Sequence, residues 1–114
     1  MSFEVIWQGP ARRVFEELKA DAQASLEKRG GMGKSAKAEG MFKQVGKCID
    51  LLAANPRHPG LQTHEFLSFT NPYDENAKVF EAYAQNRTPG AYRVFWCDGP
   101  VKNQITIVAI TPHP

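Results

Sequence analysis

The last third of the chain constrains the fold most. Lys78–Gln85, Ala91–Cys97 and Ile105–Ile110 are runs rich in aromatic and β-branched residues, the side chains that fit a pleated, half-buried surface. Arg87-Thr88-Pro89-Gly90 separates the first two, and a stretch opening on Asp98-Gly99-Pro100 separates the last two. Pro-Gly at the centre of a turn is a type II signature, because the second central residue needs a positive φ that glycine adopts freely. Links this short join antiparallel neighbours, so the prediction is a three-stranded meander. A sheet of this kind must have one face covered by what precedes it.

One strand and two helices precede it. Phe3-Glu4-Val5-Ile6-Trp7 is a short β-branched and aromatic run ended by Gly9-Pro10. Proline suits the first turn of a helix, where its missing N–H would have no partner in any case. Val14, Phe15, Leu18, Ala22 and Leu26 recur at three- and four-residue steps, which puts them on one helical face. Gly30-Gly31-Met32-Gly33 stops that helix. Ser35 is a candidate cap for a second helix, whose apolar face runs Ala38, Met41, Phe42, Val45, Ile49, Leu52 and Ala53 up to Asn55-Pro56. Two such helices around a short corner form an antiparallel hairpin. Arg57 to Ala77 has no firm period; His64–Phe69 is the candidate for a strand hidden in it, and Asn71-Pro72-Tyr73-Asp74 is turn chemistry. The predicted order is β-α-α-β-β-β, an α+β fold with an antiparallel sheet and a two-helix hairpin packed on one face.

A chain of 114 residues supports one hydrophobic core, so residues 1–114 read as a single domain. No run approaches the roughly 20 apolar residues that cross a bilayer. Met1-Ser2-Phe3-Glu4 has neither the basic nor the apolar region of a secretory signal. A cytoplasmic protein without a membrane partner is the expectation. Cys48 and Cys97, each among apolar neighbours, read as reduced, buried thiols. His58, His64 and His113 show none of the spacings that make zinc motifs specific, and no metal is expected. Gly30–Ser35 ends in Gly-Lys-Ser but lacks the first glycine of a phosphate loop and follows a helix, which leaves no cofactor to expect. The formal net charge of +2 is unevenly spread: Ala11–Lys47 holds nine Lys/Arg against five Asp/Glu, and the chain beyond His58 holds four against five. A basic first half suits phosphates, although a solvated helix surface explains the same charges more simply.

Three stretches carry a resemblance. Ile49-Asp50-Leu51-Leu52-Ala53-Ala54-Asn55-Pro56-Arg57 is a helix ending in a proline-containing loop. Gly90-Ala91-Tyr92-Arg93-Val94-Phe95-Trp96 has the pattern Gly-x-Tyr-Arg followed by hydrophobic residues. Ile105-Thr106-Ile107-Val108-Ala109-Ile110-Thr111-Pro112-His113 is a hydrophobic strand running into a His-containing tail. In this order they resemble the RelE/ParE toxin superfamily over nearly the whole chain, with Phe69–Ala77 looking like an insertion. The resemblance implies the toxin of a type II toxin–antitoxin system, held in check by a cognate antitoxin. Many members inhibit translation as endoribonucleases that cleave mRNA on the ribosome, and others inhibit DNA gyrase.

Metal-free RNA cleavage needs a base for the ribose 2′-hydroxyl, a cation for the phosphate and an acid for the leaving 5′-oxygen. The resemblance implies Arg93 as the phosphate-binding residue and His113, just past the last strand, as the acid. Glu65 loosely matches the region where some family nucleases hold a carboxylate base, and His64 beside it can do the same work. Arg57, Arg87 and Tyr83 are candidates for RNA contact, the tyrosine by stacking on a base. Plainer readings stand beside these. Arg93 can pair with a surface carboxylate, His113 can be an ordinary tail residue, and Arg57 can close the second helix; Trp96 fits the core. Where ribosome-dependent members carry lysines along the first meander strand, this chain has Lys78, Glu81 and Tyr83. The alternative function is a non-catalytic binder on the same scaffold, such as a gyrase inhibitor or a degenerate toxin.

Overall fold

The computed structural model describes residues 2–34, 36–85 and 90–112. Its elements are β1 (Glu4–Trp7), α1 (Gly9–Lys28), α2 (Lys37–Ala54), β2 (His64–Glu65), β3 (Phe80–Tyr83), β4 (Tyr92–Asp98) and β5 (Gln104–Pro112), with a 3-10 turn at Pro59–Leu61. The strands lie side by side in the order β1-β5-β4-β3-β2. The antiparallel meander predicted from the sequence is its middle, and β2 adds a two-residue antiparallel edge to β3. β1 departs from the expected all-antiparallel sheet. It runs parallel to β5, with Val5 beside Ile105 and Trp7 beside Ile107. The chain leaves β1 directly into two helices, so no hairpin turn dictates an antiparallel partner. The fold is α+β, a mixed sheet with a helical hairpin across one face.

Alternation along the strands sorts side chains onto two faces. On the inner face Ala82, Val94, Trp96, Ile105, Ile107 and Ile110 meet Ala11 and Leu18 of α1 and Val45, Cys48, Ile49 and Leu52 of α2. Phe15 bridges the hairpin, its ring 5.0 Å from Trp7 and 5.3 Å from Phe42. A bulge in β5 sets Phe95 against Ala109 but Trp96 against Ile107. It keeps Ile107 and Ile110 inward while Val108 and Ala109 turn outward.

The outer face has its own smaller core of Val79, Phe95 and Cys97. Phe66 and the stretch that looks inserted, Phe69–Ala77, cover it. Phe66 and Phe69 sit 4.6 and 4.7 Å from the Phe95 ring, and the Tyr73 hydroxyl lies 2.8 Å from Thr106 Oγ1. Thr106 in turn donates to the Gly99 carbonyl at 2.9 Å. Buried Asn71 holds the loop's shape: its Nδ2 donates to the Lys78 carbonyl and its Oδ1 accepts from Tyr73 N–H. Turn chemistry here builds a cover rather than a free loop.

The helical corner is clasped by an ion pair. The Arg29 guanidinium reaches Glu39 through Nε and Nη2, the shortest contact being 2.7 Å, and Nη1 donates to the Met32 carbonyl. Glu39 also accepts from Ser25 Oγ and from the Ala36 N–H, so it links both helices and closes the start of α2. The candidate cap Ser35 lies outside the described residues. The hydrogen bond from Arg29, then that from Ala36 N–H, hold the Glu39 carboxyl down at about 2 against an ordinary 4.5. Its folded form is therefore the better acid, and the stability it contributes is full above pH 4.5 and lost as pH falls toward 2. Glu39→Gln should lower stability at pH 7 by an amount that shrinks steadily between pH 4.5 and 2 in denaturant melts; a penalty independent of pH would contradict this.

Both cysteines are free and buried. Cys48 belongs to the inner core and Cys97 to the outer one, so the sheet stands between them. Burial pushes the Cys48 thiol up to about 12. Burial, with the charge of Asp98, pushes Cys97 up to about 11. Because the thiolate is the nucleophile, maleimide at pH 8 should label neither residue until denaturant unfolds the chain. Labelling of the native protein at the rate of a free thiol would be the contrary result.

Candidate active site

Arg93 follows from strand alternation. Val94 and Trp96 face the helices, which turns Arg93 and Phe95 to the outer face. There the guanidinium lies over Phe95 and Phe66, 5.0 and 5.7 Å from the ring centroids, within the range at which ring faces attract cations. Its Nη1 donates to Glu81 Oε2 at 2.6 Å.

Glu81 is the centre of the arrangement. It projects from β3, on the face shared with its register partners His64 of β2 and Phe95 of β4. His64 Nε2 lies 2.6 Å from Glu81 Oε1, and the Tyr83 hydroxyl donates to the same oxygen at 2.9 Å. The Glu81 side chain is 3% exposed and that of Arg93 16%. A carboxylate taken this far from water must be paired and hydrogen-bonded, and three donors from three strands meet that need. Charge-assisted bonds of this kind are short and directional, so Arg93, His64 and Tyr83 are fixed relative to one another.

His64 is oriented from both sides. With Nε2 against Glu81, Nδ1 is left with the Gln62 carbonyl at 3.4 Å, a long contact, and the imidazole stacks at a tilt 5.6 Å from Tyr83. A carboxylate on one ring nitrogen orients the ring and steadies the charge created when the other takes a proton. Next to Arg93, Thr111 of β5 is its register partner. Arg93 Nε and Thr111 Oγ1 are both buried without a hydrogen-bond partner among the described residues. The partly exposed edge of the Arg93 guanidinium, beside a paired acid and imidazole, suits an anion that reacts by proton transfer.

The structure thus brings together Arg93, His64 and Tyr83, and adds a residue not singled out as a site residue, Glu81. Glu65 does not join them. It is the register partner of Phe80, one residue out of phase with His64, and its carboxylate lies 3.9 Å from Lys78 Nζ on the other side of the strand. The carboxylate of the cluster is Glu81. Arg57 is exposed beyond α2, at the rim of a separate cavity, and its backbone N–H donates to Asn55 Oδ1. His113 and Arg87 lie outside the described residues. Trp96 is buried in the core. Among the described residues, no group of three or more His, Cys, Asp or Glu is placed to hold a metal ion, and no helix is long and apolar enough to cross a membrane.

A mixed five-stranded sheet with a helical hairpin on one face defines a small α+β domain of a known type. That type is the RelE/ParE-like toxin fold. The archaeal RelE-RelB complex from Pyrococcus horikoshii OT3 superimposes at TM-score 0.56 with 12% identity, covering 98% of this chain and 96% of that one. The YoeB/ParE toxin from Agrobacterium tumefaciens gives TM-score 0.59, 7% identity, and 97% and 99% coverage. The YoeB dimer from Staphylococcus aureus gives 0.56, 9% identity, and full coverage of both chains. No protein-family model matches the chain, and no curated protein matches it in sequence.

Proposed function

We propose that this chain is the toxin of a toxin–antitoxin pair and that it cleaves mRNA without a metal. The observation that carries the reading is the convergence of Arg93, His64 and Tyr83 on the buried Glu81 carboxylate, on the face the helices leave uncovered. In the proposed reaction a base, His64 at Nδ1 or the Glu81 carboxylate, takes the proton of a ribose 2′-hydroxyl. The 2′-oxygen attacks phosphorus, the bond to the 5′-oxygen breaks, and an acid protonates the leaving oxygen. Arg93 steadies the pentacoordinate phosphate with the N–H groups that Glu81 leaves unused. His113, one residue beyond Pro112, is the candidate acid; Pro112 is the register partner of Tyr92, adjacent to Arg93. Arg57, Arg87 and Tyr83 are proposed RNA contacts, and a cytoplasmic setting with mRNA, alone or on the ribosome, completes the reading. Glu65 keeps a proposed role only if its loop moves to the other face of β2. The partner is proposed to be a cognate antitoxin; one structural neighbour is itself a RelE-RelB complex.

One observation favours a second reading. The Arg93 charge is matched by Glu81, and Phe66 covers part of the guanidinium, which suits a binder that never takes a phosphate, such as a gyrase inhibitor. Induction in cells separates the two. The proposed toxin arrests growth and leaves cut transcripts. Arrest with intact transcripts and inhibited supercoiling would select the binder, and unchanged growth with intact mRNA would overturn the toxin reading.

A further inference from the structure

Three donors from three strands converge on one carboxylate of the protein's own. Arg93 Nη1 meets Glu81 Oε2 at 2.6 Å. His64 Nε2 and the Tyr83 hydroxyl meet Oε1 at 2.6 and 2.9 Å. Guanidinium, imidazole and phenol groups are also what holds a phosphate group. At the point of contact a carboxylate and a phosphodiester are alike: each shows two oxygens that share one negative charge. The planar edge of an arginine meets either pair. Glu81 therefore takes from Arg93 what a phosphodiester of RNA would take.

The setting makes this more than a surface pairing. The Glu81 side chain is 3% exposed, so its charge reaches its neighbours with little screening by water. The groups that RNA meets are the open ones, Arg93 at 16% and His64 at 42% exposed. Phe66 and Phe95 hold the guanidinium from the ring side, which leaves it beside Glu81 when RNA arrives. An incoming phosphate then shares one cation with a fixed anion of its own sign, and like charges held together cost affinity. The transition state carries more negative charge than the bound RNA, and so draws more on the same guanidinium. An interaction that is weak in the ground state and strong in the transition state raises kcat rather than tightening binding.

We infer that Glu81 is an internal counter-anion that holds down the affinity of the resting protein for RNA. The inference rests on the cleavage reading above for the identity of the ligand. It goes beyond that reading by giving Glu81 a role apart from proton transfer. The sign of the effect separates this role from the others open to the carboxylate. Loss of a base slows cleavage and loss of a brace loosens the cluster; neither tightens binding. Loss of a counter-anion does.

The test is binding of a 2′-O-methyl tetraribonucleotide, which lacks the attacking hydroxyl, to the full chain at low salt. Glu81→Gln keeps the shape of the side chain and removes its charge, and should tighten Kd about tenfold or more. The gain should disappear when Arg93→Ala is added, because the freed charge is that of Arg93. Glu75→Gln removes the same charge from an exposed position and should leave Kd within about a factor of two, since exposed charges are screened. An amide spectrum confirms that each variant is folded. A second measurement needs no variant: the same RNA should move the Glu81 carboxyl ¹³C resonance of the wild-type chain saturably. Equal or weaker binding by folded Glu81→Gln would overturn the inference. So would a gain that survives Arg93→Ala, an equal gain with Glu75→Gln, an unmoved Glu81 resonance at saturation, or no binding by either protein. Failure of the cleavage reading looks different: tighter binding by Glu81→Gln in a chain that leaves every transcript intact keeps the counter-anion and loses the nuclease.

Discussion

Arg93→Ala should slow RNA cleavage about 10²–10³-fold, the usual cost of losing one preorganised donor to developing negative charge. Most of the loss should fall on kcat, because the guanidinium is proposed to meet the extra charge of the transition state rather than to hold the RNA. The substitution also disturbs the fold. Glu81 would stay buried with only His64 and Tyr83 as partners, and breaking one side of a fully buried pair costs roughly 3–5 kcal/mol. Arg93 at 16% exposed sits at or below the lower end of that range. Two further variants separate the effects. Arg93→Ala with Glu81→Gln removes the stranded charge and should recover much of the stability without recovering cleavage. Arg93→Lys keeps the charge but loses the planar fork over Phe66 and Phe95, and should recover cleavage only in part. Cleavage by Arg93→Ala at the wild-type rate would remove the residue from the chemistry.

Phe95→Ala is expected to cost about 3–5 kcal/mol, the range for deleting a buried aromatic ring. Phe95 is fully buried, yet it faces away from the main core; its neighbours are Phe66, Phe69 and the Arg93 guanidinium. The loss should therefore show locally first. The amide of Phe66, bonded to the Val79 carbonyl at 2.8 Å, should exchange with solvent faster relative to amides of β5. Leu67→Ala is the control, because Leu67 is 86% exposed and surface truncations usually stay within about 0.5 kcal/mol. A Phe95→Ala protein with unchanged stability and a protected Phe66 amide would mean that the loop is held by its own hydrogen bonds rather than by the aromatic contacts.

The regular elements were legible because their causes are local. The three- and four-residue recurrence is the inner-face packing of α1 from Val14 to Leu18 and of α2 from Met41 to Leu52, while Leu26, at the far end of α1, is exposed; Pro10 sits in the first turn of α1. The parallel seating of β1 was not legible, since it joins Glu4 to Gln104 and no turn between them states a direction. The cluster was half legible. Arg93 announced itself through its motif, and His64 through its place in an aperiodic stretch. Glu81 did not, because its partners come from residues 64, 83 and 93 and meet only when three strands pair. One signal did exist: Val79, Glu81 and Tyr83 alternate on one face of a strand whose other residues are apolar, and a carboxylate there must find partners when buried. Glu65 stands one residue out of phase with His64, which in a strand means the opposite face. The 71–74 stretch read as a turn because Asn71, Pro72 and Asp74 are turn formers; that Phe69 and Tyr73 use that turn to cover Phe95 and Thr106 depends on contacts distant in sequence.

The most direct measurement is the chemistry of the RNA ends left by the purified protein on one defined mRNA, with and without ribosomes. Attack by a 2′-oxygen assisted by the Glu81 cluster leaves a 2′,3′-cyclic phosphate on one fragment and a free 5′-hydroxyl on the other. The expected result is both end groups with the wild-type chain and neither with His64→Ala combined with Arg93→Ala. Intact mRNA under both conditions, or fragments ending in 5′-phosphate and 3′-hydroxyl, would contradict a nuclease built on Arg93, Glu81 and His64.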